Sequence, residues 1–80
     1  MQHTNLSVNE CVQTAKLAMR DADFTENLRV VRAESGMIIY GEHGGYKGRV
    51  YCWPNKRTVG VLGFDVDQVG FYKKSITSKF

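Results

Sequence analysis

The chain of 80 residues offers few side chains for acid–base or nucleophilic catalysis. It has two histidines, and His3 falls in an N-terminal tail predicted over residues 1–5, which leaves His43 as the candidate that could activate a nucleophile such as Cys52. In a hairpin that turns at Gly44-Gly45, however, these two side chains lie about five residues apart along the strands, at about 3.4 Å per residue. That separation is too long for a hydrogen bond, so we predict no catalytic residues and a protein that is not an enzyme.

The spacing of possible metal ligands is equally unfavourable. Asp65 and Asp67 could offer two oxygens to a hard cation, but a calcium ion needs about six to eight, and no suitable ligands follow. The two cysteines and one ordered histidine match no structural zinc spacing. We therefore expect neither a metal nor a cofactor, and we predict that the two aspartates cap a turn through hydrogen bonds to the backbone.

Cys11 and Cys52 are too few and too far apart in the chain to indicate a disulfide framework. The first ten residues, MQHTNLSVNE, show neither the basic nor the apolar segment of a signal peptide. No apolar run approaches the roughly 18 residues that a membrane span needs. These features predict two buried thiols, a cytoplasmic location and no membrane contact.

Basic and aromatic side chains are interleaved in the segment 42–58, EHGGYKGRVYCWPNKRT. Aromatic rings that stack on bases, beside cations that meet phosphates, are typical of single-stranded nucleic-acid binding on a sheet. Tyrosine, tryptophan and arginine are equally the residues enriched at protein interface hot spots. In either case the candidate partner-binding residues are Tyr46, Lys47, Arg49, Tyr51, Trp53, Lys56 and Arg57.

The distribution of charge favours an anionic partner. Residues 1–26 hold two cationic and four acidic side chains, a net charge of −2, whereas residues 27–80 hold nine cationic and four acidic ones, a net charge of +5. Such asymmetry can orient a molecule toward an anionic surface. The total of +3 is low beside the many phosphate contacts that nucleic-acid binding demands, so an acidic protein surface is the first choice of partner and nucleic acid the second.

A helix is predicted over residues 7–23. Ser7 and Glu10 have the spacing of a capping box, in which each side chain satisfies a backbone N–H of the other residue. At about 100° per residue, small apolar side chains fall on one face of this helix. They are Val8, Cys11, Val12, Ala15, Ala18, Met19 and Ala22.

From residue 27 to residue 76 the period of the apolar residues changes to two, which is typical of strands. Short turns separate five such runs, and short connections favour antiparallel neighbours. The runs cover 28–33, 37–43, 46–53, 58–64 and 69–76. We therefore predict one α+β domain over residues 1–80, with the N-terminal helix packed on a four- to five-stranded antiparallel meander and a frayed C-terminus at 77–80.

A single helix about 10 Å wide cannot cover a sheet of five strands, which spans roughly 20 Å. Alternation places Arg49, Tyr51 and Trp53 on the face opposite Val50 and Cys52. An uncovered face of this composition is typical of a binding surface or a homodimer interface. Since no second helix is predicted after the sheet, a double-stranded RNA-binding domain is not expected. We predict a small protein-binding modulator or inhibitor, possible also as a homodimer, with single-stranded nucleic-acid binding as the alternative.

Overall fold

A computed structural model describes residues 7–54 and 56–80 and confirms the α+β class with an antiparallel meander. The sheet has four strands in the order β1-β2-β3-β4. One helix precedes it and another follows it. The elements are α1 (Val8–Asp21), β1 (Glu26–Arg32), β2 (Met37–His43), β3 (Tyr46–Trp53), β4 (Lys56–Leu62) and α2 (Val66–Thr77).

Helix α1 begins with the capping box that the sequence predicts. The backbone N–H of Glu10 donates to Ser7 Oγ at 3.1 Å, and the backbone N–H of Ser7 donates to Glu10 Oε1 at 3.1 Å. The predicted apolar stripe is confirmed, because its five central members are buried and Val8 and Ala22 pack partly buried at its ends. The small volume of this stripe lets α1 lie close to the sheet.

The β2–β3 hairpin forms with the predicted bounds and register. His43 pairs with Tyr46 and Met37 pairs with Cys52, so His43 and Cys52 lie at opposite ends of the hairpin. Gly44 and Gly45 have φ values of +51° and +89°, the left-handed conformation that a tight hairpin turn requires and glycine adopts without strain. Every pair of neighbouring strands is antiparallel.

The segment after β4 is a helix, so the prediction of a fifth strand over 69–76, and of a sheet extending to residue 76, is wrong. Helix α2 begins after Asp65, whose Oδ1 accepts hydrogen bonds from the backbone N–H groups of Asp67 at 3.0 Å and Gln68 at 3.3 Å. Asp65 thus caps a helix through the side chain–backbone bonds that we predicted for a turn. Val69, Tyr72 and Ile76 recur at helical spacing and pack on the core.

The C-terminal residues 77–80, which we predicted to fray, make specific contacts. Lys79 Nζ lies 3.0 Å from Asp21 Oδ2 at the end of α1. The backbone N–H of Phe80 donates to the carbonyl of Thr77 at 3.0 Å, and the Phe80 side chain packs partly buried against the core. The chain end is therefore tied to both helices.

Both helices pack on the same face of the sheet. Helix α1 contacts β2 and β3, and α2 contacts β4 and α1. Phe24 and Met19 press between α1 and the sheet at a point where two glycines, Gly41 and Gly48, face each other across β2 and β3. A Cβ at Gly48 would lie 3.0 Å from Phe24 Cδ2, which is closer than van der Waals contact allows. With both helices on this side, no helix within residues 7–54 and 56–80 covers the other face of the sheet.

The prediction that Cys11 and Cys52 remain thiols is wrong, because the two residues form a disulfide. Cys11 lies on the buried stripe of α1 and Cys52 on the helix side of β3, with their Cα atoms 5.8 Å apart. That distance is typical of disulfides. The bond closes a loop across a sequence separation of 41 residues and fixes α1 on the sheet.

We expect the disulfide to stabilise the fold by about 2 to 4 kcal/mol, because it restricts the unfolded chain. Urea unfolding of the oxidised and the reduced protein measures this difference in the free energy of unfolding. The double variant Cys11→Ala with Cys52→Ala should unfold close to the reduced protein. Equal urea midpoints for the oxidised and reduced forms would contradict the prediction.

Candidate binding face

The face of the sheet away from both helices, which we call the open face, carries most of the predicted partner-binding residues. Along β3, buried and accessible side chains alternate, so that Val50 and Cys52 point to the helices. Lys47, Arg49, Tyr51 and Trp53 therefore project together from the open face, as predicted, the first exposed and the others half-buried.

Neighbouring strands continue this surface, since residues paired across antiparallel strands share a face. Arg49 pairs with Tyr40, which in turn pairs with Arg29, and these three form one row across the sheet. The adjacent row is mainly apolar and consists of Val31, Ile38, Tyr51 and Thr58. A row of cations and a ring thus lies beside a mainly apolar row.

Each aromatic ring of the open face lies next to a cation. The Cζ atom of Arg29 lies 4.7 Å from the centroid of the Tyr40 ring, and Lys56 Nζ lies 5.3 Å from that of Trp53. Arg49 Cζ lies 5.9 Å from the Tyr51 ring. The Tyr51 and Trp53 rings stack on each other at 5.4 Å with an interplanar angle of 19°. This arrangement holds the cationic groups beside the rings, within the distance at which cation–π attraction is effective.

Tyr46, one of the predicted partner-binding residues, does not lie on the open face. It begins β3 but points to the helix side, where only 6% of the residue is exposed. Its ring packs against Phe64 at 4.9 Å and Tyr72 at 5.2 Å between ring centroids. Burial raises the pKa of the Tyr46 hydroxyl above 10.0, and the nearby Asp65 carboxylate raises this pKa further. Tyr46 therefore belongs to the core rather than to a binding surface.

Lys56 and Arg57 are divided between the two faces. Lys56 pairs with Trp53 and so belongs to the open face, whereas Arg57 pairs with Cys52 on the helix side. The Arg57 guanidinium lies over the Phe80 ring, with 5.1 Å between Cζ and the ring centroid. Arg57 is exposed, but it does not join the other predicted residues.

His43 and Cys52, the candidates for catalysis, are engaged in ring packing and in a disulfide, respectively. His43 is half-buried at the end of β2, where its ring lies 5.9 Å from Phe24 and 5.8 Å from Tyr72. Cys52 is held in the disulfide. In the two described segments, 7–54 and 56–80, no group of three or more histidine, cysteine, aspartate or glutamate side chains is placed to hold a metal ion.

Residues outside the predicted set extend this surface, and of them Tyr40 had no signal in the sequence. Arg29 and Tyr40 complete a cationic–aromatic row, but they lie outside the segment 42–58 and become neighbours of Arg49 only through strand pairing. Leu62 and Phe64, at the end of β4 and just after it, are 59% and 81% exposed. Leu62 pairs with Lys47 and so lies on the open face, whereas the Phe64 ring packs against Tyr46.

The Tyr46→Phe substitution should change the alkaline behaviour of the protein. The folded state keeps this hydroxyl protonated above pH 10.0, whereas the unfolded chain ionises it near that value. The folded state then binds more protons, so the free energy of unfolding should fall as the pH rises beyond about 10, and fall less steeply in Tyr46→Phe.

Spectroscopic titration of tyrosinate in the folded protein checks this. The substitution should remove a transition above pH 10.0, while the control Tyr51→Phe, on the open face, should retain it. If the Tyr46→Phe curve keeps every transition of the wild-type curve, the prediction is wrong and the Tyr46 hydroxyl is accessible to solvent.

No known protein family, curated protein or solved structure matches this chain.

Proposed function

We propose that this protein is a small non-enzymatic binding module, a modulator or inhibitor whose open face recognises an acidic surface on another protein. The observation that carries this proposal is the pairing of cations with accessible rings on a sheet face that neither helix covers. Three such pairs, Arg29 with Tyr40, Arg49 with Tyr51 and Lys56 with Trp53, lie on this one face.

The composition of the open face fits a protein interface. Arginine, tyrosine and tryptophan are enriched at hot spots, because they combine large apolar area with charged or polar groups. A cation that rests beside a ring loses less conformational freedom when it meets a carboxylate. The apolar row through Val31 and Ile38 can exclude water from such contacts.

Charge disfavours the alternative of a homodimer through the same face. In a two-fold dimer the same surface of both copies meets itself. Each open face carries four cationic side chains, Arg29, Lys47, Arg49 and Lys56, but only two carboxylates, Glu26 and Glu42. Two such faces would bury an excess of like charge, whereas an acidic partner would neutralise it.

Single-stranded nucleic acid is the second candidate, and the position of the rings supports it. Tyr40 and Tyr51 lie on the two central strands, where bases could stack. The cations next to the rings would have to move aside to admit a base, which favours the acidic protein. A double-stranded RNA-binding domain was not expected because no helix was predicted after the sheet. Since α2 follows the sheet, duplex RNA is included among the probes.

The predicted cytoplasmic location depends on the redox state of Cys11 and Cys52. None of the helices within residues 7–54 and 56–80 is long and apolar enough to span a membrane. Disulfides persist in oxidising compartments and are rare in the cytosol. The Cys11–Cys52 bond therefore argues against the cytoplasmic prediction.

Replacing Arg49 by Glu and Trp53 by Ala together should weaken partner binding by at least about 2 kcal/mol, because the change removes a ring and reverses a charge at the centre of the face. The protein, immobilised on beads, is used to capture partners from native lysate with and without nuclease. The matched control is Arg20→Glu with Leu17→Ala, which makes the same change in charge and also truncates an exposed apolar side chain, on the exposed side of α1.

Salt separates the two candidate partners. Trp53 is the only tryptophan, so its fluorescence reports directly on the open face during titration with a single-stranded oligonucleotide or an RNA duplex. Binding to nucleic acid should fall linearly in log–log form, with a slope of about −0.7 to −0.9 per phosphate contacted. If a captured protein binds the wild type and the Arg49 and Trp53 double variant equally well, then the open face is not the binding surface.

The location prediction is tested by trapping thiols in cells with an alkylating reagent before lysis. A protein that resides in the cytosol should carry two alkyl groups by mass spectrometry, because the reducing pool keeps Cys11 and Cys52 as thiols. Protein that becomes alkylated only after reduction holds the disulfide in its native compartment. That result would contradict the cytoplasmic location.

A further inference from the structure

A groove of about 520 Å³ lies between β4 and α2, on the opposite side of β4 from β3. We call it the edge groove. It is lined by Lys56, Arg57, Thr58, Val59, Lys73 and Thr77. Four of these residues are consecutive in β4, and consecutive strand side chains point to opposite faces. A groove that all four border must therefore run along the edge of the strand rather than over either face of the sheet.

β4 is the last strand of the sheet, so its outer edge presents unpaired backbone donors and acceptors at every second residue. It pairs with β3 without a register shift along its whole length. The other edge strand, β1, has a register shift between Glu26 and Arg29, which breaks its ladder. Among the described strands, β4 is thus the edge strand whose regular backbone could pair with an added strand along its whole length.

The charges around this edge determine which chain can pair with it. Lys56, Arg57 and Lys73 all line the groove, and in the described part of the chain none of them is in a salt bridge, since the ion pair found there joins Lys79 to Asp21. The ring of Phe80 holds the Arg57 guanidinium in place. Lysine on an edge strand discourages pairing with basic or like-charged chains, including a second copy of β4. An acidic chain is attracted by the same charges.

We propose that the edge groove binds an extended acidic peptide segment of another protein, which adds to the sheet as a fifth strand beside β4. Backbone hydrogen bonds to the β4 edge would hold the peptide, as in other cases of strand addition. Its acidic side chains would meet the Arg57 guanidinium on β4 and the Lys73 ammonium group on α2. Thr77 lies one helical turn after Lys73 and borders the same side of the groove. This site is distinct from the open face, although Lys56 and Thr58 border both.

The probe is a fluorescein-labelled, acetylated peptide of about eight residues that alternates glutamate and valine, a length that spans β4. Fluorescence anisotropy gives its Kd for the oxidised protein. Lys73→Glu should raise the Kd at least about tenfold, because it places a like charge against the peptide. Lys74→Glu is the matched control, since it makes the same change at the next residue of α2, outside the groove, and should raise the Kd less than about threefold.

A second probe carries N-methyl groups on alternate amides and tests the backbone pairing with wild-type protein, independently of whether any variant folds. N-methylation removes the donors that an added strand needs, so it should weaken binding at least about tenfold. Bound unmethylated peptide should also slow hydrogen exchange of amides along β4. Arg29→Glu with Tyr40→Ala, which changes the open face on β1 and β2 and touches no residue of the groove, should leave the Kd of the unmethylated peptide within about threefold, which separates this site from the open face.

Four results would overturn the proposal. The first is no saturable binding of the acidic peptide at millimolar concentration. The second is an equal loss of binding in Lys73→Glu and Lys74→Glu, which would mean that only net charge matters. The third is unchanged binding of the N-methylated peptide. The fourth is a single-stranded oligonucleotide of equal charge that binds as tightly as the peptide and is displaced by it, since the groove would then be a general polyanion site.

Discussion

The close packing of α1 on β2 and β3 determines the rest of this structure. Ala15 and Ala18 on the helix contribute little volume, and Gly41 and Gly48 on the sheet leave room for Phe24 and Met19 between the two layers. The Cys11–Cys52 bond then holds the helix at this distance. Because α2 packs beside α1 rather than across the sheet, the fully buried apolar side chains of the described strands all lie on one side.

One-sided packing explains why the open face has its composition. Strand side chains alternate, so every residue that β3 buries under the helices obliges its neighbour to point away from them. Those neighbours must tolerate water, and here they are lysine, arginine and two amphipathic aromatics. A purely apolar set would aggregate and a purely charged set would offer little contact area, whereas rings beside cations remain solvated and can still bind.

Local signals in the sequence were enough to predict α1 and the central hairpin, but not α2 or the disulfide. The capping box of Ser7 with Glu10 fixed the start of α1, and Gly44-Gly45 fixed the register between β2 and β3. In α2 the valine, phenylalanine, tyrosine and isoleucine residues favour strands by propensity. The spacing of Val69, Tyr72 and Ile76 and the cap at Asp65 favour a helix instead, so the local signals conflict, and packing on the core decides between them. The disulfide depends on how α1 is rotated over β3, which no local pattern contains.

The identity of the segment after β4 also decides where binding can occur. A fifth strand there would have paired with β4 and placed Lys56 and Arg57 in the interior of a larger sheet face. As a helix, α2 instead packs behind β4 and leaves the outer edge of that strand free. The cations then divide, with Lys56 beside Trp53 on the open face and Arg57 over Phe80 toward α2. The basic segment that looks continuous in the sequence is therefore divided between two surfaces, which meet at the edge of β4 and share Lys56 and Thr58 there.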